Sequence, residues 1–246
     1  MKHRCFVFVC WLVFFSLVVP ASGSDALPSS AAQDTLLATP AIVDVEFMGQ
    51  LGGGRVSAVT IEDDLAFIAI GPALAIFDIS DPASLLMLGS TQPLPDVIYD
   101  IAISGSYAYL AAGHAGLRVV DISNLAYPVE VGFYDTPGRV EGVAVSGSYA
   151  YLAAGDDGLL VLTISTPSNP TQVGSYNTPG YAYHVAVSGS YAYVADGNGL
   201  RVVNISTPSS PSEVGFYDSP GIAYEVALMG SYAYLADGDS GLRVVN

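Results

Sequence analysis

The string Gly105-Ser106-Tyr107-Ala108-Tyr109-Leu110-Ala111 returns at Gly147, Gly189 and Gly230, at offsets of 42, 42 and 41 residues. A degraded copy, Asp63-Asp64-Leu65-Ala66-Phe67-Ile68-Ala69, precedes the first by another 42. A fixed period of this length means that one supersecondary unit is stacked on copies of itself. Two further elements keep step. Leu117-Arg118-Val119-Val120-Asp121-Ile122-Ser123 matches Leu159 to Ser165 and Leu200 to Ser206, with Leu74 to Ser80 a looser copy and Leu242 to Asn246 a shortened one. Val131-Gly132-Phe133-Tyr134-Asp135-Thr136-Pro137-Gly138 recurs at Val173 and Val214.

Each period reads as four strands. In the fourth copy these are Tyr183 to Val187, Tyr191 to Ala195, Leu200 to Ile205 and Glu213 to Asp218. Gly189-Ser190 and Asp196-Gly197-Asn198-Gly199 supply turns that tolerate positive φ. Pro208 and Pro211 interrupt the ladder, because proline has no N–H to donate. The segments Tyr-Ala-Tyr-Leu-Ala and Leu-Arg-Val-Val-Asp-Ile are apolar on nearly both faces, whereas a sheet with one wet face alternates. Four-stranded units covered on both faces fit blades packed against blades, and about 42 residues per unit fits a β-propeller. The expected fold is all-β, with five visible blades.

The Leu-Arg-Val-Val-Asp-Ile-Ser element, its Pro-rich turn, the Val-Gly-Phe-Tyr-Asp-Thr-Pro-Gly element and the Val-Ala-Val-Ser-Gly-Ser-Tyr-Ala-Tyr-Leu-Ala block together resemble the LVIVD repeat of bacterial and archaeal exported and cell-surface proteins. The resemblance spans roughly residues 43–246 and implies a propeller. It implies little about activity, because the motif marks architecture.

The N-terminus carries a different signal. Lys2 and Arg4 precede a run of 15 apolar or small residues, Cys5 to Val19, and Pro20 to Ser24 supplies small residues for cleavage. This order is that of a secretory signal peptide, and the run is short for a membrane span. The expected organisation is a signal peptide over 1–23, a Ser/Ala-rich flexible leader over 24–42 and the propeller over 43–246, in a protein that is secreted or displayed at the cell surface. Both cysteines fall within the signal segment, so the mature chain has no disulfide and must hold by its core. Without Lys2 and Arg4, five arginines face 23 acidic residues, a net charge of −18. Such a surface repels phosphate backbones and anionic lipid. Nucleic acid and membrane insertion are therefore not expected. A protein or glycan ligand is, on a monomeric propeller.

Strand counting leaves two readings of the ring. Residues 43–51 resemble a lone fourth strand, and the chain stops after three strands of the fifth copy. The N-terminal strand could close that blade and remove both edges. The abrupt stop at Asn246 favours the other reading, a piece of a longer propeller.

The inner rim carries the candidate site. Aligned on their Val-Ala-Val cores, the first strands place Ala58, Asp100, Gly142, His184 and Glu225 at one position and Ser57, Tyr99, Glu141, Tyr183 and Tyr224 before it. These positions vary while the frame repeats, which is how a rigid scaffold carries a site. Tyr99, Asp100, Glu141, Tyr183, His184, Tyr224 and Glu225 form the expected binding cluster. Asp100, Glu141, His184 and Glu225 could hold a metal or do acid–base work, with Asp100, Glu141 and Glu225 the catalytic candidates. They also suit plain solvated strand starts, and that reading is favoured, since one His and no Cys is a thin ligand set. The turns between second and third strands hold Asp156, Asp157, Asp196, Asp237 and Asp239, oxygen donors of the kind that bind calcium. None has the spacing or distal Glu of an EF-hand loop, and tight turns select Asp and Gly anyway. No cofactor is expected, with calcium the one ion these turns suggest.

Gly52-Gly53-Gly54-Arg55 lacks the Lys-Ser/Thr of a phosphate loop, and no Gly-x-Ser-x-Gly elbow or Cys/His pair is present. The leading expectation is a non-catalytic binding or scaffolding module. A hydrolase or lyase using channel-mouth carboxylates and a spacer within a larger surface protein are the alternatives.

Overall fold

The computed structural model describes residues 55–246. The expected signal peptide, leader and N-terminal closing strand over 43–51 lie outside the described residues. Five antiparallel sheets follow one another along the chain, four with four strands and the last with three. Their first strands are Val56–Glu62, Asp100–Ser104, Gly142–Ser146, His184–Ser188 and Glu225–Met229, each beside the next. Every sheet is a meander, so each blade runs outward from its first strand. The five blades form a β-propeller, and the chain's own repeat is the blade.

The repeated glycines and acids show why each unit folds alike. Gly105, Gly147, Gly189 and Gly230 turn the first strand into the second with φ between 57° and 60°, a region that excludes most side chains. After the third strand, Asp121 Oδ1 accepts the Ser123 N–H at 2.8 Å, and Asn204 Oδ1 accepts that of Ser206 at 2.9 Å. This bond bends the chain out of the ladder and explains why an Asp or Asn closes the Leu-Arg-Val-Val element. The fourth strand carries a bulge in each of the four complete blades. In the second blade Val119 pairs with Gly132 and Val120 with Glu130, leaving Val131 extra.

The core lies between the blades. Phe67, Leu74 and Ile76 of the first blade pack with Leu110 and Val120 of the second. Tyr109 and Val119 of the second pack with Leu152 and Leu162 of the third, and Tyr151 and Val161 of the third with Val194 and Val203 of the fourth. Tyr109 and Tyr151, packed between blades, are each only 3% exposed. Their counterpart Tyr193 packs half-buried against the fifth blade. Among the described residues, no helix is long and apolar enough to cross a membrane.

Candidate functional site at the channel mouth

All seven residues of the expected binding cluster line one cavity of about 460 Å³, together with Val56, Ser57, Ala58 and Val59. Each first strand delivers its variable rim residues to the same opening, because five equivalent strands surround one axis. Gly142 contributes no side chain. A Cβ there would approach the His184 Cα and the Tyr183 carbonyl oxygen, so the third blade meets the fourth through bare backbone.

Asp100 is partly buried and already engaged. Its Oδ1 accepts the Ile101 N–H and its Oδ2 the Val143 N–H, both at 2.8 Å. The second bond ties the second blade to the third. Burial raises the Asp100 pKa, and the Glu225 carboxylate pushes the same way against the pull of His184 and the two N–H groups. His184 Nε2 stands 3.8 Å from Asp100 Oδ2, an ionic approach too long for a hydrogen bond. Its Nδ1 accepts the Val226 N–H at 3.5 Å, a second inter-blade tie. Ser57 Oγ and Thr60 Oγ1 donate to the carbonyls of Ile98 and Ile101 and join the first blade to the second.

An aromatic and ionic arc surrounds these groups. The Arg139 guanidinium lies 4.3 Å from the Tyr99 ring centroid, and its Nε is 3.3 Å from Glu141 Oε1. The Tyr181 hydroxyl donates to that same oxygen at 3.1 Å. Tyr181 packs against Tyr183 with ring planes tilted 48° and centroids 4.8 Å apart, and Tyr183 meets Tyr224 edge-on at 5.0 Å. Burial and the Glu141 charge push the Tyr181 hydroxyl up to about 12, so it stays a donor at any physiological pH. Arg139 and Tyr181 escaped the sequence reading. They stand three residues before the rim position, where the chain also varies, with Arg55, Val97 and Ile222 in the other blades. That variation was a readable signal.

The turn aspartates do not line this cavity, though the Asp156 charge reaches the Tyr181 and Tyr183 hydroxyls. Asp196 and Asp237 are fully buried. Asp196 accepts from the Gly180 and Asn198 N–H groups and from Arg201 Nε at 2.8 Å; Asp237 accepts from the Gly221 N–H, Ser219 Oγ and Arg243 Nε. Both are spent on holding their own blades. Asp156 and Asp239 are exposed and Asp157 is half-buried. Among the described residues, no three His, Cys, Asp or Glu side chains gather as a metal cluster.

Comparison with known proteins agrees with this architecture. The computationally designed Ika8 protein has a similar crystal structure, with a TM-score of 0.62 and 11% identity over 77% of this chain. The matched part is 57% of the designed chain, and at that identity the likeness concerns the fold alone. No curated protein matches the sequence. The family model of the LVIVD repeat matches five times, over residues 53–92, 98–136, 137–178, 179–219 and 220–246, one match to each blade. The chain belongs to the LVIVD repeat family.

Proposed function

We propose that this chain is an exported, non-catalytic binding module that receives a protein or glycan ligand at the mouth of its central channel. One observation carries the reading: nine of the ten residues at the two varying rim positions, all but Gly142, line one cavity. Its lining combines tyrosine rings, which offer contact area, with carboxylates that accept hydrogen bonds from hydroxyl or amine donors. The two groups best suited to acid–base chemistry, Asp100 and His184, already hold backbone N–H groups of neighbouring blades. Export rests on the charged, apolar and small-residue order of residues 1–23.

The raised proton affinity of Asp100 beside a second carboxylate favours the other reading, a channel-mouth hydrolase. A panel of glycans and peptides, assayed with the wild type and with Asp100→Asn/Glu141→Gln/Glu225→Gln, separates the two. The binding reading expects a ligand bound without turnover, at least about tenfold weaker in the variant. Turnover by the wild type that the variant loses would replace the binding module with the enzyme. A melting curve on the variant guards against loss of the Asp100 inter-blade bond.

A further inference from the structure

The second and fourth blades fill one corner, between their third and fourth strands, with the same four residues. In the second, the Arg118 guanidinium lies 4.7 Å from the Phe133 ring centroid and is held by Glu130 at 3.3 Å and Asp135 at 2.6 Å. In the fourth, Arg201 lies 5.2 Å from Phe216 and 2.8 Å from Asp218, and Glu213 occupies the remaining position. The third blade exchanges all four. Leu160, Gln172, Ser175 and Asn177 stand where the second has Arg118, Glu130, Phe133 and Asp135. The long cation and the ring are gone, and these four residues line a cavity of about 350 Å³. The turn adds Asp156 and Asp157 to its wall, where the second blade has His114 and Ala115. The first blade exchanges the quartet differently, for Ala75, Met87, Ser90 and Gln92, and its Gly71-Pro72 turn brings no acid.

We propose that the third-blade cavity is a second binding site, for an uncharged sugar ring. It shares no lining residue with the channel mouth and does not depend on the reading of that mouth. The exchange itself selects the ligand. The carboxylates that grip a guanidinium in the second blade are amides here, so the cradle for a cation has been dismantled. Each amide offers both a donor and an acceptor, Ser175 adds a hydroxyl, and the aspartates add acceptor oxygens. A ring of hydroxyls needs that mixture, because every hydroxyl both donates and accepts. The Gln172 Oε1 accepts the Tyr134 hydroxyl at 2.9 Å, which fixes the amide and turns its NH2 to other partners. Leu160, only 4% exposed, and the Pro137 ring supply apolar surface for the C–H face of the sugar. The volume is at the small end for ligand pockets and suits one ring rather than several. A chain of net charge −16 disfavours acidic sugars, which restricts the site to neutral ones. Arg139, two residues beyond Pro137, is spent on Glu141 and Tyr99 and leaves the aspartates to the ligand.

The test titrates the full chain by NMR with the methyl glycosides of glucose, galactose, mannose and N-acetylglucosamine, with cellotetraose, and with N-acetyl-lysine amide as the cationic probe. Concentrations up to about 10 mM reveal a Kd near 1 mM. At least one methyl glycoside should bind, and more tightly than the lysine probe. Asn177→Ala and Asp157→Asn should each weaken it roughly tenfold. Restoring the second-blade corner, as Leu160→Arg/Gln172→Glu/Ser175→Phe/Asn177→Asp, should abolish binding by filling the cavity. That variant should fold, since the second blade builds the same corner and Tyr176 already donates to Glu213 as Tyr134 would to a glutamate at 172. Ser175→Phe alone, at an exposed position, gives the same reading if the quadruple variant does not fold. A tetraose that binds more tightly than the matching glycoside identifies a glycan chain as the source of the ring; equal affinities identify a free sugar. Binding by the lysine probe that exceeds every sugar overturns the proposal, and so does the absence of binding by all the sugars. Sugar binding that survives Ser175→Phe and the restored corner but is lost in Glu141→Gln places the sugar at the mouth and overturns this site alone.

Discussion

Aspartate performs three separate tasks in this repeat. Asp121 shapes the exit from a third strand, Asp100 ties one blade to the next, and Asp196 neutralises a buried arginine. The third task changes hands between blades. Where the fourth blade has Gly180 and Asp196, the second has Asp96 and Ala112, and the acid has moved across the turn. Asp96 there accepts the Val97 and His114 N–H groups, and those bonds with nearby His114 and Arg139 charges outweigh burial and lower its pKa. The exchange leaves Arg118 Nε as the one buried polar side-chain atom without a partner among the described residues. The third blade drops the ion pair as a unit, with Leu160, Gln172 and Asn177 where the second has Arg118, Glu130 and Asp135. Asp196→Ala should therefore cost about 3 kcal/mol, because it strips a partner from a buried guanidinium. Chemical denaturation checks this, and a midpoint within error of wild type would show that Asp218 alone suffices for Arg201.

At the scale of the element, the fourth strand decides how closely blades approach. A Cβ on Gly132 would strike the carbonyl oxygen of Pro167 in the next blade's turn, and Gly89 and Gly174 meet Leu125 and Pro208 in the same way. Gly215 occupies the equivalent place in the fourth blade and has nothing within 4 Å. One substitution at one repeat position should thus have two outcomes. Gly132→Ala should destabilise by roughly 1–3 kcal/mol through overpacking, and Gly215→Ala by less than about 0.5 kcal/mol. Equal effects in denaturant melts would contradict the inter-blade packing described here. The bulge beside Gly132 was not legible in the sequence. Val131 reads as one more apolar strand residue, and only the pairing of Val119 with Gly132 and Val120 with Glu130 exposes it as extra.

Across the whole molecule, the frame was readable because a 42-residue period with glycine turns and proline breaks leaves few alternatives. The positions of Tyr99, Asp100, Glu141, Tyr183, His184, Tyr224 and Glu225 were readable too, since alignment of the repeats isolates what varies. What those side chains do was not. Alignment cannot tell that Asp100 turns both oxygens to backbone N–H groups, that Arg139 folds over Tyr99, or that Tyr183 meets Tyr224 edge-on. Those facts depend on the closeness of neighbouring blades, a three-dimensional quantity that spacing does not carry. The account stands or falls on the mouth being the place where ligand enters. Val59 lines that cavity, is half exposed and belongs to none of the charged or aromatic groups. The most direct measurement is a binding titration of Val59→Trp beside wild type, with the tightest ligand from the panel and a melting curve on each. The account predicts an unchanged melt and an affinity reduced about 100-fold or more, because the indole fills the opening. Wild-type affinity in the plugged variant would place the binding surface elsewhere on the propeller and contradict it.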